Sequence, residues 1–310
     1  MNGRVSLNMS LHELSVRNPW FPTHPLLWTE RHLQLVNCTF QQLETPTEAG
    51  EHQEDTVGDV EDFATEWECG MKGFCFRLLV DRDGSPWKPA AGAPAFDYAQ
   101  HEIYRLDCGI YLTPAVPPSE TSPARLMVSP YEYAWATDRR RAKCYPWKHA
   151  AGEEAAQRLC ERRLRQCAPE TWTRDPYLVC IMLSLAQDDW YRSLHQSYPV
   201  CLIVCNETDK ANAYVYHAEF PLDITEGLKT PSLRISTWPT IYYTKIPFEP
   251  YGSFLDHLTT RILGVKEVNT SIAELTKERQ RCDGSDSTER GCKRVIPNIL
   301  EGLKTLISKW

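Results

Sequence analysis

Between Asp175 and Gln196 the chain reads DPYLVCIMLSLAQDDWYRSLHQ, and no other stretch narrows the folds open to it as much. Asp175 is suited to accept hydrogen bonds from the free N–H groups of a helix start, and Pro176 in the first turn has no N–H to leave unpaired. From Tyr177 to Ala186 only Ser184 is hydrophilic. A helix there is apolar around its whole circumference, so it belongs inside a core and not on a surface. It is too short for a bilayer, which takes roughly 20 apolar residues to cross. The prediction is an α+β fold, with an antiparallel sheet packed around a buried central helix at about 176–196 and amphipathic helices towards the C-terminus.

The sheet is read from runs of apolar and β-branched residues between turn formers. GFCFRLLV from Gly73 predicts a strand closed by a turn at Asp83-Gly84; EIYRLDCGIYL (Glu102–Leu112) and Arg125–Ser129 predict two more. Tyr198 to Phe220 predicts a β-hairpin turning at ETDKAN. VCLIVC is continuous enough for an interior strand, while AYVYHAEF alternates and suits an edge or half-exposed one. Ile241–Phe248 is a further strand, with Leu233–Ser236 as a candidate partner. Residues 31–40 fit a strand or a short helix equally well.

Helices follow from 3.6-residue spacing. His149–Cys167 sets Ala155, Ala156, Leu159, Cys160 and Leu164 on one face, ends at Pro169, and is expected to form a hairpin with the central helix. Later faces are Tyr251–Ile262, Val265–Leu275 and Ile296–Trp310. The expected organisation has an aromatic, proline-rich segment packed on the core at 1–43 and a mobile acidic loop at 44–68. An α+β core follows at 69–281, then a flexible linker at 282–293 and an amphipathic helix at 294–310. The loop expectation rests on ten carboxylates between Glu44 and Glu68 with no Lys or Arg among them, a density at which like charges repel.

Twelve cysteines without one C-x-x-C pair, behind an N-terminus with no apolar h-region, point to reduced thiols and to a cytoplasmic or nuclear protein without a membrane segment. Cys201 and Cys205 sit in an apolar run, and His12, His24 and His32 lack the spacing of a zinc helix, so no metal is expected. No G-x-G-x-x-G and no phosphate loop is present, so no cofactor is expected either.

Three candidate sites remain. From Arg139 to Arg165 nine basic residues face three acidic ones. Arg139, Arg140, Arg141, Lys143, Lys148, Arg158, Arg162 and Arg163, with Tyr131, Tyr133, Trp135, Tyr145 and Trp147 nearby, have the composition of a polyanion-binding surface. A solvated helix face partly neutralised by the 44–68 segment is preferred, because the net charge of the whole chain is −7. Cys108, in Leu106-Asp107-Cys108-Gly109, is a candidate nucleophile with His149, His195 or His217 as base, although no nucleophile elbow surrounds it. The apolar stripe with Leu303, Leu306, Ile307 and Trp310 either docks on its own chain or enters a partner's groove.

The blocks TDRRRAKCYPWKHAAGEEAAQRLCERRL, DPYLVCIMLSLAQ, VCLIVC, AYVYHAEF and IYYTKIPF resemble blocks recurring in a family of uncharacterised fungal proteins, sometimes encoded near specialised-metabolism genes. The resemblance spans about 129–263 and brings no catalytic residue with it. It implies a cytoplasmic or nuclear protein, accessory to that metabolism. The function expected first is non-enzymatic binding or scaffolding, then binding of nucleic acid or another polyanion, then hydrolysis of an unrecognised type.

Overall fold

The central helix forms as expected. In the computed structural model, which describes residues 9–44, 54–68, 70–82, 85, 87–113, 126–145 and 153–262, Asp175 Oδ1 accepts the Tyr177 N–H at 2.9 Å and Pro176 opens the helix. Every residue from Pro176 to Gln187 is buried. Ser184, the one hydrophilic residue in the apolar run, donates back to the Cys180 carbonyl at 2.9 Å, so its hydroxyl is paired.

In chain order the elements are α1 (Leu11–Arg17), α2 (Glu30–Leu35), β1 (Phe40–Leu43), α3 (Val57–Thr65), α4 (Met71–Val80), β2 (Lys88–Ala90), β3 (Ala95–Tyr98), β4 (His101–Arg105), β5 (Ile110–Leu112), β6 (Met127–Glu132), α5 (Ala134–Cys144), α6 (Glu153–Cys167), α7 (Pro176–Arg192), β7 (Ser197–Asn206), β8 (Asp209–Pro221), α8 (Leu222–Lys229) and β9 (Ile241–Pro247). A further helix, α9, covers 251–262. The fold is α+β. Seven strands make one sheet in the order β1-β9-β8-β7-β6-β5-β2, and β3 and β4 pair separately. The large sheet is mixed and not antiparallel throughout as expected: β1 runs parallel to β9 and β6 parallel to β7, the other pairs being antiparallel. A parallel pair needs a crossover, and α5, α6 and α7 supply the one between β6 and β7.

The sheet is covered on both faces. Val200, Leu202 and Val204 of β7 join the core around α7, while Cys201, Ile203 and Cys205 join a second core with Phe63 of α3, Phe76 of α4 and Phe254 of α9. A strand buried on both sides reads as a continuous apolar run, which is what VCLIVC is.

Several expectations are corrected. GFCFRLLV belongs to a helix, α4, burying Cys75, Phe76, Leu79 and Val80 and leaving Phe74 and Leu78 exposed; so short an apolar run does not reveal its own period. Within the acidic segment, residues 57–65 form α3, anchored by Val60 and Phe63, and Arg82 pairs with Asp59 and lies 3.8 Å from Asp55. Residues 45–53 of that segment lie outside the described residues. AYVYHAEF is interior, between β7 and β9. Its tyrosines can be buried because Tyr214 donates to Asp209 at 2.6 Å and Tyr216 to the Thr173 carbonyl at 3.0 Å. Leu233–Ser236 does not pair with β9, whose neighbours are β1 and β8; instead Arg234 bridges to Ser10. α6 packs on α5 and has no comparable contact with α7, and residues 31–40 end α2 and start β1.

Contacts divide the chain after Leu263. The second unit, 264–310, lies outside the described residues, and with it the 265–275 face, the 282–293 linker and the stripe with Leu303, Leu306, Ile307 and Trp310. Among the described residues no helix is long and apolar enough to cross a membrane.

Candidate functional site

The N-terminal aromatic segment folds over the α7 face of the sheet and leaves a cavity beneath it. Ser10 caps α1, its Oγ accepting the Glu13 N–H at 3.1 Å while Glu13 reaches back to the Ser10 N–H at 2.9 Å. The chain then passes through Phe21 and Pro22 to His24, which caps a short 3-10 turn over Pro25–Leu27 by accepting the Leu26 N–H on Nδ1 at 3.3 Å. Trp28 follows, stacked on His32 with ring centroids 5.4 Å apart. The β3–β4 hairpin closes another side. Gln187, the polar residue at the end of the apolar part of α7, clamps it by accepting the Asp97 N–H at 3.1 Å and donating to the Asp97 carbonyl at 2.9 Å. That bond pattern places Phe96 edge-on to Trp28 at 6.2 Å. Leu228 of α8 and Trp238, before β9, complete the wall, with Trp238 6.1 Å from Trp28.

The cavity is about 280 Å³ and almost wholly apolar. Its polar side chains are Thr23, His24 and Tyr98. Burial, assisted by the Lys143 charge, pushes His24 down to about 4, so the imidazole is neutral near pH 7. Among the described residues no carboxylate, lysine or arginine lines this cavity. Such a wall can hold an apolar molecule by desolvation and ring contacts. Two other cavities are more polar: one of about 420 Å³ beside Glu30, Cys38 and Arg174, and one of about 390 Å³ beside Trp67, Lys210 and Tyr251.

The basic segment is only partly a surface. Arg140 is buried and makes two 2.5 Å bonds to the two oxygens of Asp175, with its Nε donating to the Leu26 carbonyl at 2.7 Å and Tyr133 donating to the same carboxylate at 2.6 Å. It is therefore removed from the polyanion-binding set: a guanidinium committed to a buried carboxylate cannot meet a phosphate. Arg139 is half-buried against Tyr104 and lies 3.7 Å from Asp107. Arg141, Lys143, Arg158, Arg162 and Arg163 are exposed, Arg158 pairing with Glu154 at 3.1 Å. Lys148 and Trp147 lie outside the described residues. The acidic helix α3 pairs with Arg82 through Asp59.

Neither of the described candidate bases, His195 and His217, is among the partners the structure records for Cys108. Burial pushes its thiol up to about 11, its hydroxyl neighbour is Ser129, and Arg139 and Asp107 are close. His195 bonds to Ser193 at 3.0 Å, His217 stacks on Tyr242 at 5.3 Å, and His149 lies outside the described residues. The nine described cysteines carry free thiols, eight of them buried. Among the described residues no group of three or more His, Cys, Asp or Glu side chains is arranged to hold a metal ion. Lys72 was not singled out by sequence. It is buried, donates to the Phe63 carbonyl and at 3.2 Å to the Ala64 carbonyl, and lies 3.6 Å from the Trp67 ring. Burial lowers its pKa, and its role is to cap the end of α3.

His217 predicts a pH effect. Burial, helped by the Arg261 charge, holds it down at about 4 against an ordinary 6.5. Between those values the unfolded chain binds a proton that the folded one refuses, so this contribution is complete above pH 6.5 and lost as the pH falls towards 4. A shift of this size corresponds to a limit of about 3 kcal/mol. Urea midpoints at pH 7.5 and 4.5 should differ less in His217→Phe than in the parent; equal slopes would show that His217 does not couple to folding.

Compared with known proteins, the chain matches no family model, no curated protein and no solved structure.

Proposed function

We propose that this chain is a non-enzymatic binding protein, acting in the cytoplasm or nucleus, that holds an apolar small molecule in the cavity under its N-terminal aromatic segment. The observation that carries this is the composition of the wall: Phe21, Trp28, Phe96, Leu228 and Trp238 line about 280 Å³ with no charged side chain among the described residues. Reaction chemistry would need an acid, a base or a nucleophile at the wall, and the one imidazole among its described residues, His24, is a weak base because burial pushes it down to about 4. Cytoplasmic or nuclear conditions also suit a chain with this many free thiols.

The test is a titration with N-phenyl-1-naphthylamine, a neutral fluorophore that brightens on leaving water. The expected result is saturable binding at one site per chain, with quenching of tryptophan emission from Trp28 and Trp238. Ile103 lines the cavity at its rim and is 40% exposed, so Ile103→Glu should weaken the probe at least tenfold while leaving the melting temperature near that of the parent. Binding that ignores Ile103→Glu would place the probe elsewhere and remove the support for this cavity.

A second reading, polyanion binding, is favoured by the exposure of Arg141, Lys143, Arg158, Arg162 and Arg163. Arg163 donates to the Cys144 carbonyl at 3.3 Å, which gathers it with Arg141 and Lys143 at the end of α5. That reading expects a short single-stranded oligonucleotide to bind with a steep inverse dependence on salt. A flat titration at low salt would end it.

A further inference from the structure

We infer that the cavity under the N-terminal segment selects a flat, uncharged molecule of about two fused rings that carries one hydrogen-bond acceptor, directed at His24 Nε2–H. This rests on the binding reading above and specifies its ligand.

Size comes first. A cavity of about 280 Å³ is roughly twice the ~150 Å³ cavity that accommodates benzene, which leaves room for two fused rings and a small substituent. Shape follows from the walls. Trp28 is tilted 38° to Trp238 and stands at 76° to Phe96, so the rings in the lining differ in orientation, and a flat guest that stacks on one meets another closer to edge-on, the two arrangements in which aromatic groups attract one another.

Charge is excluded by what the wall lacks. A carboxylate or an ammonium ion placed there would lose its hydration and find no opposite charge among the described lining residues, Lys143 acting on His24 only from outside the wall, so its cost is far above that of a neutral guest. Burial keeps His24 from offering a cation near pH 7.

The acceptor follows from the imidazole. His24 Nδ1 accepts the Leu26 N–H and so carries no proton; in the neutral ring the proton is therefore on Nε2, which can only donate. The hydroxyls of Thr23 and Tyr98 accept as readily as they donate, and so impose no such choice. The indole N–H of Trp238 is shut off from solvent and does not meet a molecule entering the cavity.

The test uses three matched probes, 2-acetylnaphthalene, its hydrocarbon isostere 2-isopropenylnaphthalene, and the anion 2-naphthoate, each titrated by tryptophan quenching at pH 7.5. The ketone should bind about five- to tenfold more tightly than the alkene, the yield of one additional hydrogen bond to a neutral donor. The naphthoate should bind at least tenfold more weakly than the ketone. In His24→Asn the Oδ1 keeps the capping acceptor for Leu26 and the amide nitrogen falls short of the Nε2 position, so the donor there is lost and the ketone should fall to the affinity of the alkene while the alkene is unchanged. Equal binding of ketone and alkene to the parent, or an unchanged preference in His24→Asn, would overturn the inference and leave the binding reading in place. Failure of all three probes to bind would overturn both. Tightest binding by the naphthoate would replace a neutral ligand with an anionic one.

Discussion

Asp175→Ala is expected to cost about 3–5 kcal/mol of folding stability, the usual penalty for leaving a buried charge without its partner. Asp175 is fully buried, and the side chain of Arg140 is 5% exposed. Without the carboxylate the guanidinium loses its ion pair and keeps the Leu26 carbonyl and the Tyr177 ring, 5.7 Å away, and it cannot escape by losing its proton. The same change removes the acceptor of the Tyr133 hydroxyl and the cap of α7, the latter alone worth about 1 kcal/mol. Globular proteins are stable by only about 5–15 kcal/mol, so the loss is a large fraction of the total. Urea denaturation of the parent and the variant measures it. The double variant Arg140→Met with Asp175→Asn removes both charges and keeps a capping side chain, and it should recover at least half of the loss. A double variant less stable than Asp175→Ala would mean that the guanidinium contributes through packing and not through its charge.

The second large effect is expected at Ile181→Ala, at about 2–5 kcal/mol, because the deleted carbons lie in the middle of α7 among side chains that cannot close around the gap. Ile181 has no exposed surface, whereas Leu194, two residues beyond the end of α7, is 67% exposed. Leu194→Ala should therefore change stability by no more than about 0.5 kcal/mol. Thermal unfolding of both variants checks the contrast. Similar losses at the two positions would mean that α7 is not the centre of the fold.

How far the candidate site was legible depends on what held each residue in place. Trp28 and Phe21 stand out in sequence as aromatics among prolines, and His24 as the residue before one of them, but nothing near them specifies what they face. Phe96, Leu228 and Trp238 reach the same cavity from three other elements, placed there by the Gln187 clamp and by the route of the chain across the sheet. Arg140 shows the opposite failure. In a run of three arginines it looks like its neighbours, and only its direction from α5 towards Asp175 separates a buried ion from a solvated one.

By itself the sequence determined the elements whose character is written in their own residues. α7 is apolar on all sides and capped by Asp175, so it is a helix and it is inside wherever the rest of the chain goes. VCLIVC is apolar on both faces, so its strand is covered on both. The rest was settled by contacts between segments far apart in the chain. GFCFRLLV became α4 because Phe63, Trp87 and Tyr111 surround the helical face carrying Phe76. AYVYHAEF became an interior strand because Asp209 and the Thr173 carbonyl take its tyrosine hydroxyls, and the cavity formed where four distant segments converge. The physical reason is the same in each case: a local pattern fixes conformation when burial is favourable on every side of it, and where one side stays ambiguous the partner, met only after folding, makes the choice.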